Sequence, residues 1–70
     1  MWVRTQTAEL VNLMFIRTLR IEEGVVVARN CDEHYTLFKG DPEACKAALA
    51  HIVDGLTTHT PFVDMKIMRP

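Results

Sequence analysis

Long apolar runs are missing from this sequence. No stretch approaches the roughly 18 consecutive apolar residues that a membrane-spanning helix requires. The opening residues, MWVRTQTAEL, also lack the continuous hydrophobic segment of a secretory signal peptide. Cysteine is scarce as well, since Cys31 and Cys45 are the only two, and such a pair is more typical of free thiols than of a disulfide framework. Together these absences predict a cytoplasmic protein.

An excess of charge of either sign is also absent. Eight Lys and Arg residues against nine Asp and Glu residues give a formal net charge of −1. No global field therefore favours DNA, RNA or an anionic lipid surface. The hydrophobic fraction of 49% indicates a folded globule. The 70 residues predict one small α+β domain spanning 1–70, near the lower size at which a hydrophobic core is self-sufficient.

No catalytic or metal-binding motif of known spacing occurs in the sequence. His34, His51, His59 and Cys31 belong to the residue types that zinc prefers, but none lies in a CxxC, HxxxH or HExxH pattern. Cys31 and His34 flank one turn and resemble a nucleophile with its base. A domain of this size, however, leaves little volume for a pocket that excludes water. The sequence therefore predicts no enzyme activity, no metal site and no cofactor.

Residues 41–56 form the one segment with a strong helical pattern. Asp41 is a good N-cap, Pro42 suits the first helical position, and Glu43 lies near the positive end of the helix dipole. Gly55 is expected to end the helix in the left-handed conformation. The apolar residues recur at three- and four-residue intervals and are Cys45, Ala48, Leu49, Ile52, Val53 and Leu56. This stripe is expected to pack against a sheet.

Short strands are predicted on both sides of the helix. Gly24 predicts a tight hairpin, because glycine readily adopts the positive φ that such turns require. An irregular stretch over 14–18 predicts a β-bulge. The predicted strands cover residues 2–5, 10–13, 14–22, 25–29, 34–38 and 62–68. The fold class is therefore predicted to be α+β: an antiparallel meander sheet of four to five strands, one helix packed on a face, and a C-terminal strand at a sheet edge or paired with a second copy.

The opening MWVRTQ, followed by LVNL, a glycine-turned hairpin, an aromatic strand and an acid-capped helix, resembles a group of small bacterial proteins without an assigned activity. Their genes lie on bacterial chromosomes and on mobile elements, phages included. Those proteins open with a similar Met-Trp-(Ile/Val)-Arg-(Ser/Thr)-Gln run. The resemblance is close over residues 1–6 and extends to the layout of most of the chain, whereas residues 62–70 depart from it. It implies a fold and no activity.

One helix can cover only one face of a sheet, which leaves the other face to solvent or to a partner. Apolar residues on both sides of the central strands, with a methionine-rich C-terminus, favour a partner. The predicted interface residues are Met14, Ile16, Val26, Val63, Met65 and Ile67. Small chains often gain stability by oligomerising. The sequence thus predicts a non-enzymatic interaction or adaptor module, homodimeric and with an unknown protein partner; alternatively, these residues pack inside a monomer.

A second hypothesis is a binder of a small ligand or of single-stranded nucleic acid. Arginines beside exposed rings on a sheet face are typical of some single-strand binders. The residues that fit this pattern are Trp2, Arg4, Arg17, Arg20 and Tyr35. The nine acidic residues disfavour the phosphate contacts on which such binding depends. This hypothesis therefore ranks second, and catalysis third.

Overall fold

The computed structural model describes residues 1–68. Within this range the chain forms six strands and one α-helix. In chain order they are β1 (Trp2–Arg4), β2 (Leu10–Asn12), β3 (Thr18–Glu22), β4 (Val25–Arg29), β5 (His34–Lys39), α1 (Pro42–Thr57) and β6 (Phe62–Asp64). Single 3-10 turns follow β2 and β6, at Leu13–Phe15 and Met65–Ile67. The predicted α+β class is confirmed.

The strands form two three-stranded sheets rather than one meander. The first sheet has the order β2-β1-β6, with β1 antiparallel to β2 and parallel to β6. The second sheet, β3-β4-β5, is antiparallel throughout. The two sheets separate at the 3-10 turn after β2, where the Met14 N–H donates to Asn12 Oδ1 at 3.0 Å. This local cap ends β2 and replaces the bulge predicted over 14–18.

The hairpin predicted at Gly24 is confirmed. Glu23 and Gly24 have φ values of +48° and +78°, as a two-residue type I′ turn requires. The register irregularity of this sheet lies on β5, where Val26 pairs with Phe38 but Val27 pairs with Thr36. The shift sends two consecutive β5 side chains, Leu37 and Phe38, into the core.

The start of α1 is as predicted, whereas its end is not. The Ala44 N–H donates to the Asp41 carboxylate at 2.8 Å, which caps the first turn. Gly55 was expected to end the helix but lies buried inside it. A Cβ built on Gly55 would lie 2.9 Å from Val63 Cγ2. Glycine at this position therefore lets β6 pack directly on the helix.

The helix ends two residues later, at Thr57, and a Schellman motif follows it. His59 adopts the left-handed conformation with φ +57°. The Thr60 N–H donates to the Gly55 carbonyl at 2.8 Å, and the His59 N–H donates to the Leu56 carbonyl at 3.4 Å. These two bonds satisfy carbonyl groups that the last helical turn leaves free.

The core lies between the helix and the inner faces of both sheets. It consists of Val3, Val11, Leu13, Val26, Ala28, Leu37, Phe38, Cys45, Ala48, Ile52, Val63 and Met65. The predicted helical stripe is buried at three of these positions, but Val53 and Leu56 are 50% and 44% exposed. The two sheets thus cover a narrower part of the helix than its apolar stripe.

The C-terminal strand is shorter than predicted and pairs within the chain. It ends at Asp64, whose carboxylate accepts a hydrogen bond from the Lys66 N–H at 2.9 Å and so begins the second 3-10 turn. Val63 and Met65 enter the core, whereas Ile67 is 72% exposed. Among residues 1–68, no helix has the length and apolar content that crossing a membrane requires.

Candidate interaction surface

The outer face of the first sheet carries large apolar side chains. Because side chains alternate across a strand, burial of Val3 and its neighbours on β2 and β6 turns Trp2, Leu10 and Phe62 outward. These three side chains are 47%, 57% and 45% exposed. Trp2 is the direct cross-strand neighbour of Phe62, so two aromatic rings lie side by side on this face.

The first 3-10 turn adds a further aromatic residue to this region. Phe15 is 69% exposed and lines an open groove of about 330 Å³ together with Trp2 and Leu10. Ile16 and Tyr35, which are partly buried against the core, line the same groove. We call the outward-facing set Trp2, Leu10, Phe15 and Phe62 the aromatic patch.

A second groove of about 300 Å³ lies between the start of β3 and the last turns of α1. Its apolar lining is formed by Leu13, Ile16, Leu19 and Leu56. Because Ile16 lines both grooves, the apolar surface continues from the aromatic patch to the helix. Contiguous apolar surface of this kind is typical of interaction sites.

An ion pair lies beside the aromatic patch on the same sheet face. Arg4 donates to Asp64 with both Nε, at 3.0 Å from Oδ1, and Nη2. The hydrogen bond from Arg4 is the largest cause that holds the pKa of Asp64 below its ordinary value, and the same bond raises the pKa of Arg4. The pairing neutralises the guanidinium, so Arg4 contributes little positive potential to this face.

The outer face of the second sheet is polar. Glu22 on β3 accepts hydrogen bonds from Arg29 Nε at 3.2 Å and Nη2 at 3.0 Å, and Arg20 Nε lies 3.6 Å from the same carboxylate. The bond from Arg29 is the main reason that the pKa of Glu22 is lowered. Val27 lies among these groups and is only 6% exposed. The expectation that this uncovered face is apolar is therefore wrong.

The structure divides the six predicted interface residues into two sets. Met14 is 76% and Ile67 72% exposed, and Ile16 is partly buried between the two grooves. The other three, Val26, Val63 and Met65, are at most 4% exposed. Their assignment to a surface is wrong, because Val26 lies on the inner face of its sheet and the pairing of β6 with β1 directs Val63 and Met65 inward.

The five residues of the nucleic-acid hypothesis do not share one face. Trp2 and Arg4 lie on the first sheet, Arg20 on the outer face of the second, and Tyr35 packs against the core. Arg17 Nη1 donates to Cys31 Sγ at 3.3 Å. The Tyr35 hydroxyl donates to Glu33, and this bond raises the pKa of Tyr35. Three of the five side chains, Arg4, Arg20 and Tyr35, thus have carboxylate partners within the chain.

The candidate nucleophile and metal-ligand residues lie in different surroundings. Cys31 lines a groove with Arg17 and Phe15, whereas His34 lines a different groove with Glu22. Cys45 is buried, with Sγ 3.6 Å from the Gly40 carbonyl oxygen. Within residues 1–68, no three His, Cys, Asp or Glu side chains are grouped so that they could hold a metal ion.

Sequence reasoning missed three members of the aromatic patch: Leu10, Phe15 and Phe62. For Leu10 and Phe62 the alternation of side chains along a strand could have predicted exposure. Each precedes a buried valine, Val11 or Val63, and therefore points to the opposite face of the sheet. Phe15 carried no such signal, because its exposure depends on a 3-10 turn that the apolar pattern does not reveal.

No model of a known protein family, no curated protein and no solved structure matches this chain. The resemblance of the opening residues to small bacterial and phage-type proteins stays a prediction.

Proposed function

We propose that this chain is a small, non-enzymatic interaction module that forms a homodimer and presents its aromatic patch to another protein. The observation that supports this function is the placement of Trp2, Leu10 and Phe15 around one open groove. Tryptophan and other aromatic residues are enriched among the side chains that contribute most to protein–protein binding. In a chain of 70 residues, their exposure is costly unless a partner covers them.

A protein partner fits the chemistry of the patch better than a nucleic acid does. Arg4, on the same sheet face as the patch, is already paired with Asp64, and the whole chain has a net charge of −1. Phosphate contacts require uncompensated positive charge, whereas an apolar protein segment requires only complementary shape and apolar area. No observation favours the nucleic-acid hypothesis over a protein partner.

We further propose that the module is cytoplasmic and is encoded on a mobile element. Cys31 is exposed and Cys45 is buried, and both are free thiols, which suits a reducing compartment. The small size of the chain supports the proposed homodimer, since a second copy would add buried apolar area to a single small core.

Site-specific photo-crosslinking in the native host tests the use of the aromatic patch. A benzophenone amino acid would replace Phe15 in one variant and Ala47, an exposed residue on α1, in the control. We expect an adduct with a different polypeptide at position 15 and none at position 47. Adding Leu10→Ser to the first variant should remove that adduct. No adduct at position 15, or the same adducts at both positions, would contradict the proposal.

A further inference from the structure

We infer that two copies of this chain pair through their β3 edges, antiparallel and with Ile21 on the two-fold axis, to form one continuous six-stranded sheet. This inference rests on the proposed homodimer and specifies how it is built. The strand order β3-β4-β5 leaves β3 at an edge of its sheet within the described part of the chain. Such an edge is a template for pairing with another strand.

The hairpin turn determines which backbone groups of β3 face outward. In a two-residue hairpin, the residues that flank the turn exchange both backbone hydrogen bonds, here Glu22 and Val25. Because this orientation alternates along a strand, Arg20 also directs its backbone groups toward β4. The N–H and C=O of Leu19 and Ile21 therefore point away from β4, and within residues 1–68 no other strand pairs with them.

The charges on β3 select one register. With Ile21 opposite Ile21 of the second copy, Arg20 lies opposite Glu22 of that copy, and the same pair repeats across the axis. Opposite charges at directly facing positions stabilise an antiparallel pair, and like charges destabilise it. Moving the axis by one residue would set Arg20 opposite its own counterpart. The edge of β3 is thus complementary to itself in one register.

The exposed apolar residues next to this edge support the same arrangement. Ile21 is 37% exposed on the inner face, and α1 contacts β3. Leu56 and Leu19 line one groove, and Val53 lies one helical turn before Leu56 on the same face. Pairing of the two edges would cover Ile21 with its counterpart and bring a second apolar layer to Val53 and Leu56. It would therefore bury the part of the helical stripe that the monomer leaves exposed.

Charge reversal followed by mixing tests this register. The Arg20→Glu variant carries only carboxylates at positions 20 and 22, and the Glu22→Arg variant carries only guanidinium groups there. Each variant should repel its own copy, weakening self-association about tenfold or more. An equimolar mixture should form mixed dimers, because both facing pairs are then opposite in charge. Native mass spectrometry of isotopically distinguished chains measures the three species directly.

A matched control separates the facing pairs from net charge. Lys39→Glu, on β5 at the opposite edge of the sheet, changes the net charge by the same amount as Arg20→Glu and should leave self-association unchanged. Its mixture with Glu22→Arg should give no comparable preference for mixed dimers. Thermal unfolding of each variant confirms that it is folded before it is compared.

Two outcomes would overturn the inference in distinguishable ways. If the wild-type chain is a dimer and neither reversal weakens it, or if the mixture gives no excess of mixed dimer, the β3 pairing is wrong while the homodimer stands. If the wild-type chain is monomeric at every concentration, the proposed homodimer itself fails. The charges of Arg20 and Glu22 would then serve to prevent other strands from pairing with the β3 edge.

Discussion

Arg4 on β1 and Asp64 on β6 form a two-pronged ion pair, with Arg4 Nε 3.0 Å from Asp64 Oδ1. The two residues are 60 positions apart and belong to strands that run parallel. Their ion pair links β6, the strand that follows the helix, to β1. The same strand pair also places Phe62 beside Trp2, so this contact helps to assemble the aromatic patch.

The ion pair predicts an acid-dependent loss of stability. Because Arg4 lowers the pKa of Asp64 in the folded state, the stabilisation is present above the unfolded-state pKa of about 3.9 and is lost as the pH falls through the lower folded-state value. Urea unfolding should show that Asp64→Asn is less stable than wild type near pH 7 and that this difference shrinks toward pH ~2. Asp54→Asn, an exposed control on α1, should show no such pattern. An Asp64→Asn deficit that is constant with pH would contradict the prediction.

Gly55→Ala should destabilise the fold, although alanine is more favourable than glycine inside a helix by about 1 kcal/mol. The added Cβ would lie 2.9 Å from Val63 Cγ2, and a β-branched side chain has few alternative rotamers with which to withdraw. A net loss of about 1 kcal/mol is expected from overpacking, measured by urea unfolding. In a Val63→Ala background the same change should be neutral or stabilising. Equal costs in both backgrounds would show that Gly55 has no packing role.

Glu23→Asn should stabilise the hairpin between β3 and β4. Glu23 has φ +48°, a conformation that asparagine adopts more readily than glutamate, and Asn-Gly is a preferred type I′ pair. The expected gain is about 0.5–1 kcal/mol in the free energy of unfolding. Glu23→Gln removes the same charge without this backbone preference and should gain less. An equal gain in both variants would assign the effect to charge.

Phe15→Ala should leave stability nearly unchanged, within about 0.5 kcal/mol, because its ring is mostly exposed. Phe38→Ala makes the same change at a fully buried ring and should cost about 3–5 kcal/mol. Urea unfolding of the two variants measures this contrast. A large loss for Phe15→Ala would mean that Phe15 supports the fold and is not held at the surface for a partner.

Local chemistry explains which parts of the fold could be predicted from the sequence. Asp41 with Pro42, and Gly24 in its turn, act on residues within four positions, so the helix start and the hairpin were predicted correctly. The parallel pairing of β6 with β1 joins distant residues such as Arg4 and Asp64, and no local pattern encodes it. Gly55 was misread for the same reason, since its role is to admit Val63 rather than to end the helix.

The interaction surface was predicted less well than the fold. Burial of Val26 and Met65 follows from the three-dimensional packing of two sheets, which the alternation of apolar residues along single strands does not specify. The exposure of Phe15 could not be predicted, because it depends on the 3-10 turn that Leu13–Phe15 forms. Exposed apolar residues are difficult to identify from sequence, because the same side chains serve equally well in a core.

Light scattering across a dilution series is the most direct test of the homodimeric module. The proposal predicts twice the mass of one chain at high concentration and a return toward the mass of one chain on dilution, with Arg20→Glu shifting that transition to higher concentration. A mass of one chain at every concentration, for the wild type and the variant alike, would contradict it.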